Sequence, residues 1–386
     1  MNQDRAAELR GHLVQELADG GFLRSPAWGE AFRRVPRHEF LRRFFRPTDA
    51  GTWEVIDEGH PDWLGLVYTN VTWVTQLDDD VSRWEAASSG PVTGRASSSS
   101  SEPGLMAQML QGLQVRDGDA VLEIGTGTGY NAALLSHRLG SALVTTVEVD
   151  PELAAQAAKA LERCGYTPTV AAGDGTEGHR ARAPYDRIIA TCSVPFTPGS
   201  WVVQTRPGGM ILTSLHRDLG GWPMVRLVVD EHGASGRFLP DRGAFMPIRS
   251  RSVLNDRRLL AAALRGGDGG APRPTTLGAD ILDHPDFGLL AALKLENACW
   301  IGKGMASNYE LWLLDGEGSW ACLDSAASAF RQHGPRRLWD ELESAHDLWQ
   351  RWGQPRRDRF GLSVSHDGSH IFWLDRPDNP LWVEEP

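Results

Sequence analysis

Apolar positions recur at two spacings along this chain, and each change of spacing marks an element. Leu105, Met106, Met109, Leu110 and Leu113 fall three and four apart, which predicts a helix over 105–113. A short apolar run follows at 120–124, then a glycine-rich turn, Gly125-Thr126-Gly127-Thr128-Gly129, then a second helix-like segment. The β-branched run 144–148 closes that unit as a strand. Asp150 and Pro151 suit the cap and first turn of a helix over Pro151–Arg163. Strands at 167–171, 185–190 and 210–214, with a short helix at 201–206, continue the alternation. Strand, tight loop, helix, strand is the right-handed βαβ unit. The expected fold class is therefore α/β, a doubly wound, Rossmann-like sheet.

The flanks read differently. Leu9, Leu13, Val14 and Leu17 predict a helix over 5–18, and Pro26–Arg34 a second short one. Residues 47–100 read as largely irregular, with Tyr68-Thr69-Asn70 and Trp73-Val74-Thr75-Gln76 the ordered-looking parts, and the five serines of 97–101 have the composition of a linker. That linker runs straight into the helix at 105–113, a place where a loop is held for substrate contacts. Beyond residue 250, 265–276 reads as loop, and 309–314 with 320–323 as a hairpin across Asp315-Gly316-Glu317-Gly318. Leu338, Leu342, Ala345, Trp349 and Trp352 form one apolar stripe over 335–352, and 360–364 and 371–374 alternate as strands. The expectation is a catalytic domain over 1–250, with a long insertion at 47–97, and a smaller C-terminal α+β domain over 251–386 suited to peptide recognition. Eight of the 15 Trp lie between Trp300 and Trp382, and burial in a core is their default.

Composition narrows the function. A net charge of −11 argues against a nucleic-acid partner. No apolar run approaches the roughly 18 residues of a membrane span. Cys164, Cys192, Cys299 and Cys322 form no C-x-x-C pair, so no metal site is expected, and the opening MNQDRAAELR is charged. Both fit a reducing, cytoplasmic setting. Arginines 33, 34, 37, 42, 43 and 46 form a basic cluster, read as a solvated helix face with an acidic-peptide patch as the alternative. Oligomeric state is not legible.

The glycine loop is the candidate chemistry. Dinucleotide sites use G-x-G-x-x-G, and Tyr130 stands where the last glycine belongs. G-x-G-x-G after a strand bearing an acid, with Glu148 ending the next strand, is the pattern of S-adenosylmethionine sites. Gly125, Thr126, Gly127 and Gly129 would cradle the methionine part. Glu148, followed by Val149, would accept from the ribose hydroxyls, and Asp174 with Gly175 would take the adenine. Glu123 would order the loop or bind the cofactor's amino group. Thr191, Cys192 and Ser193 empty from the strand at 185–190 toward the same sheet edge. Cys192 has no adjacent His to make it a nucleophile.

VPRHEF, Ser101-Glu102-Pro103, VLEIGTGTGYNAALL, VEVDPELA, GDG, PYDRIIATCSVPFTP and RPGGMIL occur in an order that resembles the protein-L-isoaspartate O-methyltransferases, over about residues 5–250. The resemblance implies a doubly wound fold that methylates a peptide carboxyl with S-adenosyl-L-methionine and releases S-adenosyl-L-homocysteine. It places Ser101 on the acceptor carboxylate, with Ser99 in a position the family fills with Thr and Ser100 assisting, and Thr191, Cys192 and Ser193 in the pocket wall. Gly104 departs from the His or aromatic residue of the family, and the span before Ser97 is longer. The segments QHGPRRLWDELE and RFGLSVSHDG resemble extended methyltransferases encoded with lanthipeptide and graspetide precursors. That resemblance implies a modified precursor peptide as partner, an aspartate as acceptor, and collapse of the ester to succinimide or isoaspartate. Repair of isoaspartate is the alternative. A non-catalytic peptide-binding scaffold is the alternative of another class.

Overall fold

The computed structural model describes residues 2–249, 254–267, 269–304 and 309–386. The chain opens with the helices Asn2–Asp19 and Pro26–Arg34. An antiparallel sheet follows, made of β1 (Arg43–Pro47), β2 (Trp53–Asp57), β3 (Trp73–Leu77) and β4 (Ala96–Ser100), in the order β2-β1-β3-β4. This corrects the irregular reading of 47–100, and of the serine run as linker. The strands are five residues each, and β4 carries only alanine and serine, so neither length nor hydropathy announces them. What holds the sheet is aromatic: the Phe45 ring stacks on Trp84 at 3.9 Å, and Phe44 lies 4.5 Å from Trp73.

The main sheet begins with β5 (Val121–Ile124), β6 (Val144–Glu148), β7 (Thr169–Ala172), β8 (Tyr185–Val194) and β9 (Thr205–Leu215), and then β10 (Met224–Asp230) and β11 (Gly233–Phe238). The strands β5 to β9 pair in parallel as β7-β6-β5-β8-β9. Strand order therefore reverses at β5, and a crevice opens outside its carboxyl end. The α/β expectation holds in this half. The helix Pro151–Arg163 starts as read, with the Asp150 side chain accepting from the Glu152 and Leu153 N–H groups.

A separate five-stranded sheet carries β12 (Arg273–Pro274), β13 (Ala298–Lys303), β14 (Glu310–Asp315), β15 (Trp320–Asp324) and β16 (Ala329–His333), in the order β12-β16-β15-β14-β13. The predicted hairpin is β14–β15, and the predicted amphipathic helix is Leu338–Arg351, whose Trp339 stacks on Phe330 at 5.4 Å. The last strands, β17 (Phe360–Val364), β18 (His370–Leu374) and β19 (Pro380–Glu384), do not join this sheet. They extend the main one through an antiparallel pairing of β17 with β11, giving ten strands. One packed core includes Leu122, Val225, Phe287, Trp339 and Phe372. The expected division at residue 250 falls outside the described residues, and the packing on either side of it is continuous. Among the described residues no helix is long and apolar enough to cross a membrane, and no group of three His, Cys, Asp or Glu is arranged to hold a metal.

Candidate active site

The crevice at β5 is a cleft of about 1150 Å³ counted out to its open mouth. Its floor is the glycine loop. Gly125 has φ +93° and Gly127 φ +53°, conformations open to glycine at little cost. A Cβ on Gly127 would lie 3.5 Å from the Ser99 carbonyl oxygen, facing the opposite wall of the cleft. Gly129, at φ +86°, is not in the lining: its Cα faces Ala157 on the helix Pro151–Arg163, where a Cβ would sit 3.2 Å from the Ala157 Cβ. Its role is to let loop and helix touch, which corrects its assignment as a cradle residue.

Glu148, at the end of β6, is 6% exposed. One carboxylate oxygen accepts the Gly127 N–H at 2.8 Å and the other the Asp150 N–H at 3.2 Å. An ionised carboxylate offers about four acceptor positions, so two remain for a diol. Glu123 is fully buried beneath the loop, with its oxygens taken at 2.7 Å by the Asn131 amide and at 2.7 Å by the Thr146 hydroxyl. Thr126 bonds to the same Thr146 hydroxyl at 2.6 Å. Burial pushes the Glu123 carboxyl up to about 7, against the pull of those two hydrogen bonds. Of the two roles weighed for it, these bonds are those of a residue that orders the loop.

Gly175 lies in the lining, and a Cβ there would meet Ile124 at 2.5 Å. Asp174 does not: it is exposed, and one of its oxygens takes the Thr176 N–H and hydroxyl at 2.9 and 2.8 Å. Val149 and Thr191 line the cleft, Thr191 donating to the Gly125 carbonyl at 2.7 Å. Cys192 also lines it, and burial pushes its thiol up to about 12, so it stays protonated and is no nucleophile. Ser193 was expected in the wall and is not. It is 3% exposed, its hydroxyl donates to the Phe245 carbonyl at 3.1 Å, and its backbone pairs with Met246 and Ile248. It anchors the segment 244–249, which lies along the cleft and which the sequence did not single out.

The serine strand forms the remaining wall. Period two puts Ser99 and Ser101 on one face and Ser98 and Ser100 on the other. Ser98 and Ser100 are buried, accepting from Thr75 at 3.2 Å and Arg37 at 3.3 Å. The Ser99 and Ser101 hydroxyls have no partner among the described residues. Arg37, counted in the sequence among solvated or peptide-facing arginines, is fully buried instead. Its guanidinium donates to the carbonyls of Val67, Thr69, Val71 and Ser101, fixing two loops against each other. Burial lowers its pKa to about 10, still charged at neutral pH. Arg249 ties this wall to the helix that follows Glu148. It reaches the Ser97 carbonyl at 3.3 Å, Asp79 at 3.1 Å, Asp150 at 3.2 Å and the Gln76 side-chain oxygen at 2.7 Å.

Glycines without side chains on the floor, a diol acceptor at the strand end and a partly apolar wall of Met106, Ile124 and Ile248 fit an adenosyl sulfonium ligand. The comparisons agree. A family model described as protein-L-isoaspartate(D-aspartate) O-methyltransferase matches residues 85–226. The protein-L-isoaspartate O-methyltransferase of Ignicoccus hospitalis is 34% identical over 244 residues, covering 62% of this chain and 97% of its own. That of Staphylothermus marinus is 45% identical over 220 residues, 54% and 80% of the two chains. A solved protein-L-isoaspartate O-methyltransferase superposes with TM-score 0.55 at 22% identity, over 95% of this chain and all of its own, which speaks for the fold. The chain belongs to the protein-L-isoaspartate O-methyltransferase family and is an S-adenosylmethionine-dependent carboxyl O-methyltransferase.

Proposed function

We propose that this enzyme methylates the free carboxylate of an isoaspartyl residue in a polypeptide. The observation that carries the reading is the unpartnered pair of hydroxyls, Ser99 and Ser101, across the cleft from Gly127. The names of the relatives support isoaspartate as the acceptor. A carboxylate with an ordinary pKa near 4 is already ionised at pH 7, so no group has to take a proton from it. No histidine lines the cleft among the described residues, in keeping with that economy. When bound, S-adenosylmethionine supplies a methyl group on a sulfonium sulfur. The residues of this chain orient the acceptor. Ser101 donates a hydrogen bond to one carboxylate oxygen and leaves the other free to attack in line. Glu148 fixes the ribose, and the segment 244–249 covers the cleft from water. Orientation of this kind is worth up to roughly 7–11 kcal/mol in favourable intramolecular cases. The ester then gives way to attack by the following amide nitrogen, with methoxide leaving and a succinimide forming.

One observation favours a second reading, an unmodified aspartate in a cyclised precursor peptide. The space a side chain at Gly104 would need is taken by Asn70, 3.0 Å from the Cβ position, and by Phe22 at 3.2 Å. Asn70 also accepts the Gly104 N–H at 2.7 Å. The position where the sequence departs from its family is thus filled by packing behind Leu105 and Met106 of the cleft lining. A paired assay separates the readings: a short linear isoaspartyl peptide against a macrocyclic aspartyl peptide, followed by mass spectrometry for the ester and its loss. Turnover of the linear peptide is expected. Turnover of the macrocycle alone would overturn the first reading in favour of the second. Cofactor binding without turnover of either would leave a binding scaffold.

A further inference from the structure

We propose that Thr72 is a second hydroxyl on the acceptor carboxylate, acting beside Ser101. The inference rests on the reading that Ser101 holds a carboxylate, and it adds a residue outside the motifs that carry the family resemblance.

Strands β3 and β4 run antiparallel, with Trp73 opposite Ser100. The next position on each chain, just past the strand ends, is Thr72 on one side and Ser101 on the other. Residues opposite one another in such a pair present their side chains to the same face, with Cβ atoms about 4.5–5.5 Å apart. Both residues line the cleft.

The two segments are tied together at several points. One guanidinium nitrogen of the buried Arg37, Nη2, donates to the Val71 carbonyl at 3.1 Å and to the Ser101 carbonyl at 3.2 Å. Asn70 donates to the Glu102 carboxylate at 3.2 Å and accepts the Gly104 N–H at 2.7 Å. The Thr72 oxygen accepts the Glu102 N–H at 3.0 Å. Residues 70–72 and 101–104 therefore hold one another in place, and a pair of side chains carried by them is set before any ligand arrives.

The bond from Glu102 uses the Thr72 oxygen as an acceptor and leaves the hydroxyl proton. No acceptor among the described residues takes that proton, as none takes the proton of Ser101. Two adjacent O–H donors suit an acceptor-only group such as a carboxylate. With both on one oxygen, the plane of the carboxylate is fixed and the other oxygen is free to attack. A threonine at a strand end also serves to hold a nearby backbone N–H. That role needs the oxygen alone, and it gives no preference for a charged ligand over a neutral one.

The test uses the full chain with S-adenosylhomocysteine bound, so that no methyl is transferred. Fluorescence anisotropy compares a fluorescein-labelled isoaspartyl peptide with its counterpart carrying a carboxamide in place of the free carboxylate. Hydrogen bonds to an ionised acceptor are about twice as strong as neutral ones. Thr72→Val is expected to weaken the carboxylate peptide by about tenfold or more and the carboxamide peptide by less than about threefold. Affinity for S-adenosylhomocysteine should be unchanged, and Thr72→Ser, which keeps the O–H, should restore the carboxylate peptide. Equal loss of both peptides in Thr72→Val would leave Thr72 a structural part alone and overturn the proposal. No loss, or no rescue by serine, would overturn it too. If the unsubstituted enzyme binds neither linear peptide, aspartyl and asparaginyl macrocycles take their place. A carboxylate-specific loss there keeps the role of Thr72 and moves the acceptor from isoaspartate to aspartate, and binding of neither macrocycle overturns both readings.

Discussion

Glu148 and Ser101 face one cleft with different duties, and their variants should separate. Removing the Glu148 carboxylate takes away the acceptor for a diol and also frees the Gly127 N–H it holds at 2.8 Å. Glu148→Ala is expected to weaken S-adenosylhomocysteine binding by about 1.5–3 kcal/mol, the worth of hydrogen bonds to a charged group. Ser101→Ala should leave that affinity alone and lower kcat. Calorimetry of both variants checks the split, and equal loss of affinity in the two would sink it. Glu123 gives a pH signature. Its folded pKa, about 7, lies above the ordinary 4.5, so the folded state keeps a proton that the unfolded chain releases. Its contribution favours folding less and less as pH rises from 4.5 to 7, by about 3 kcal/mol across that window, and is level beyond it. Glu123→Gln, neutral at every pH, should flatten this part of the stability–pH curve of the ligand-free protein in chemical denaturation. At this scale the sequence marked Glu148 and Ser101 because each sits in a patterned neighbourhood. It missed Arg37, whose burial depends on carbonyls of Val67, Thr69 and Val71 about thirty residues away. It misplaced Ser193 because one residue along a strand reverses the face.

Among the elements, the segment 244–249 matters most for access to the cleft. It has no helix or strand of its own and is held by the Ser193 backbone at one end and by Arg249 at the other. Burial alone would raise the Asp150 carboxyl, but hydrogen bonds from Gln76, the Leu153 N–H and Arg249 hold it below the usual carboxylate range. The same aspartate caps the helix Pro151–Arg163, so Arg249 ties the segment to the end of the element that follows Glu148. Arg249→Ala should free the segment, lowering stability by about 1–3 kcal/mol and speeding amide exchange in 244–249. Product dissociation should quicken in stopped flow. Unchanged exchange in the segment would show that Ser193 holds it alone. Of the groups that hold Arg249, Asp150 is legible as a helix cap, whereas Gln76 and Asp79 lie in the stretch 47–100, where short strands of mixed polarity give no period to read.

At the scale of the molecule, the parallel half of the sheet was legible because each of its strands is announced by a glycine turn or a capped helix. The other half was not, because β17 to β19 return to β11 from more than a hundred residues downstream, and sequence pattern carries no partner information. The Ignicoccus hospitalis enzyme is matched over 97% of its length by 62% of this chain, so more than a third of this chain lies outside that match. Phe238 on β11 is 1% exposed and parallel to Phe372 with ring centres 6.3 Å apart, and Val225 and Leu227 are buried in the same core. Cutting the chain after residue 250 would open the whole edge of β11, along with an apolar face evolved to be covered. Such an edge pairs with other chains when it cannot pair with its own. The shortened chain is expected to be insoluble, or soluble only as an expanded state without near-ultraviolet circular dichroism. A monomeric 1–250 fragment with native near-ultraviolet signal and cofactor affinity would instead mean that β17 to β19 are an added layer over a sheet that closes without them.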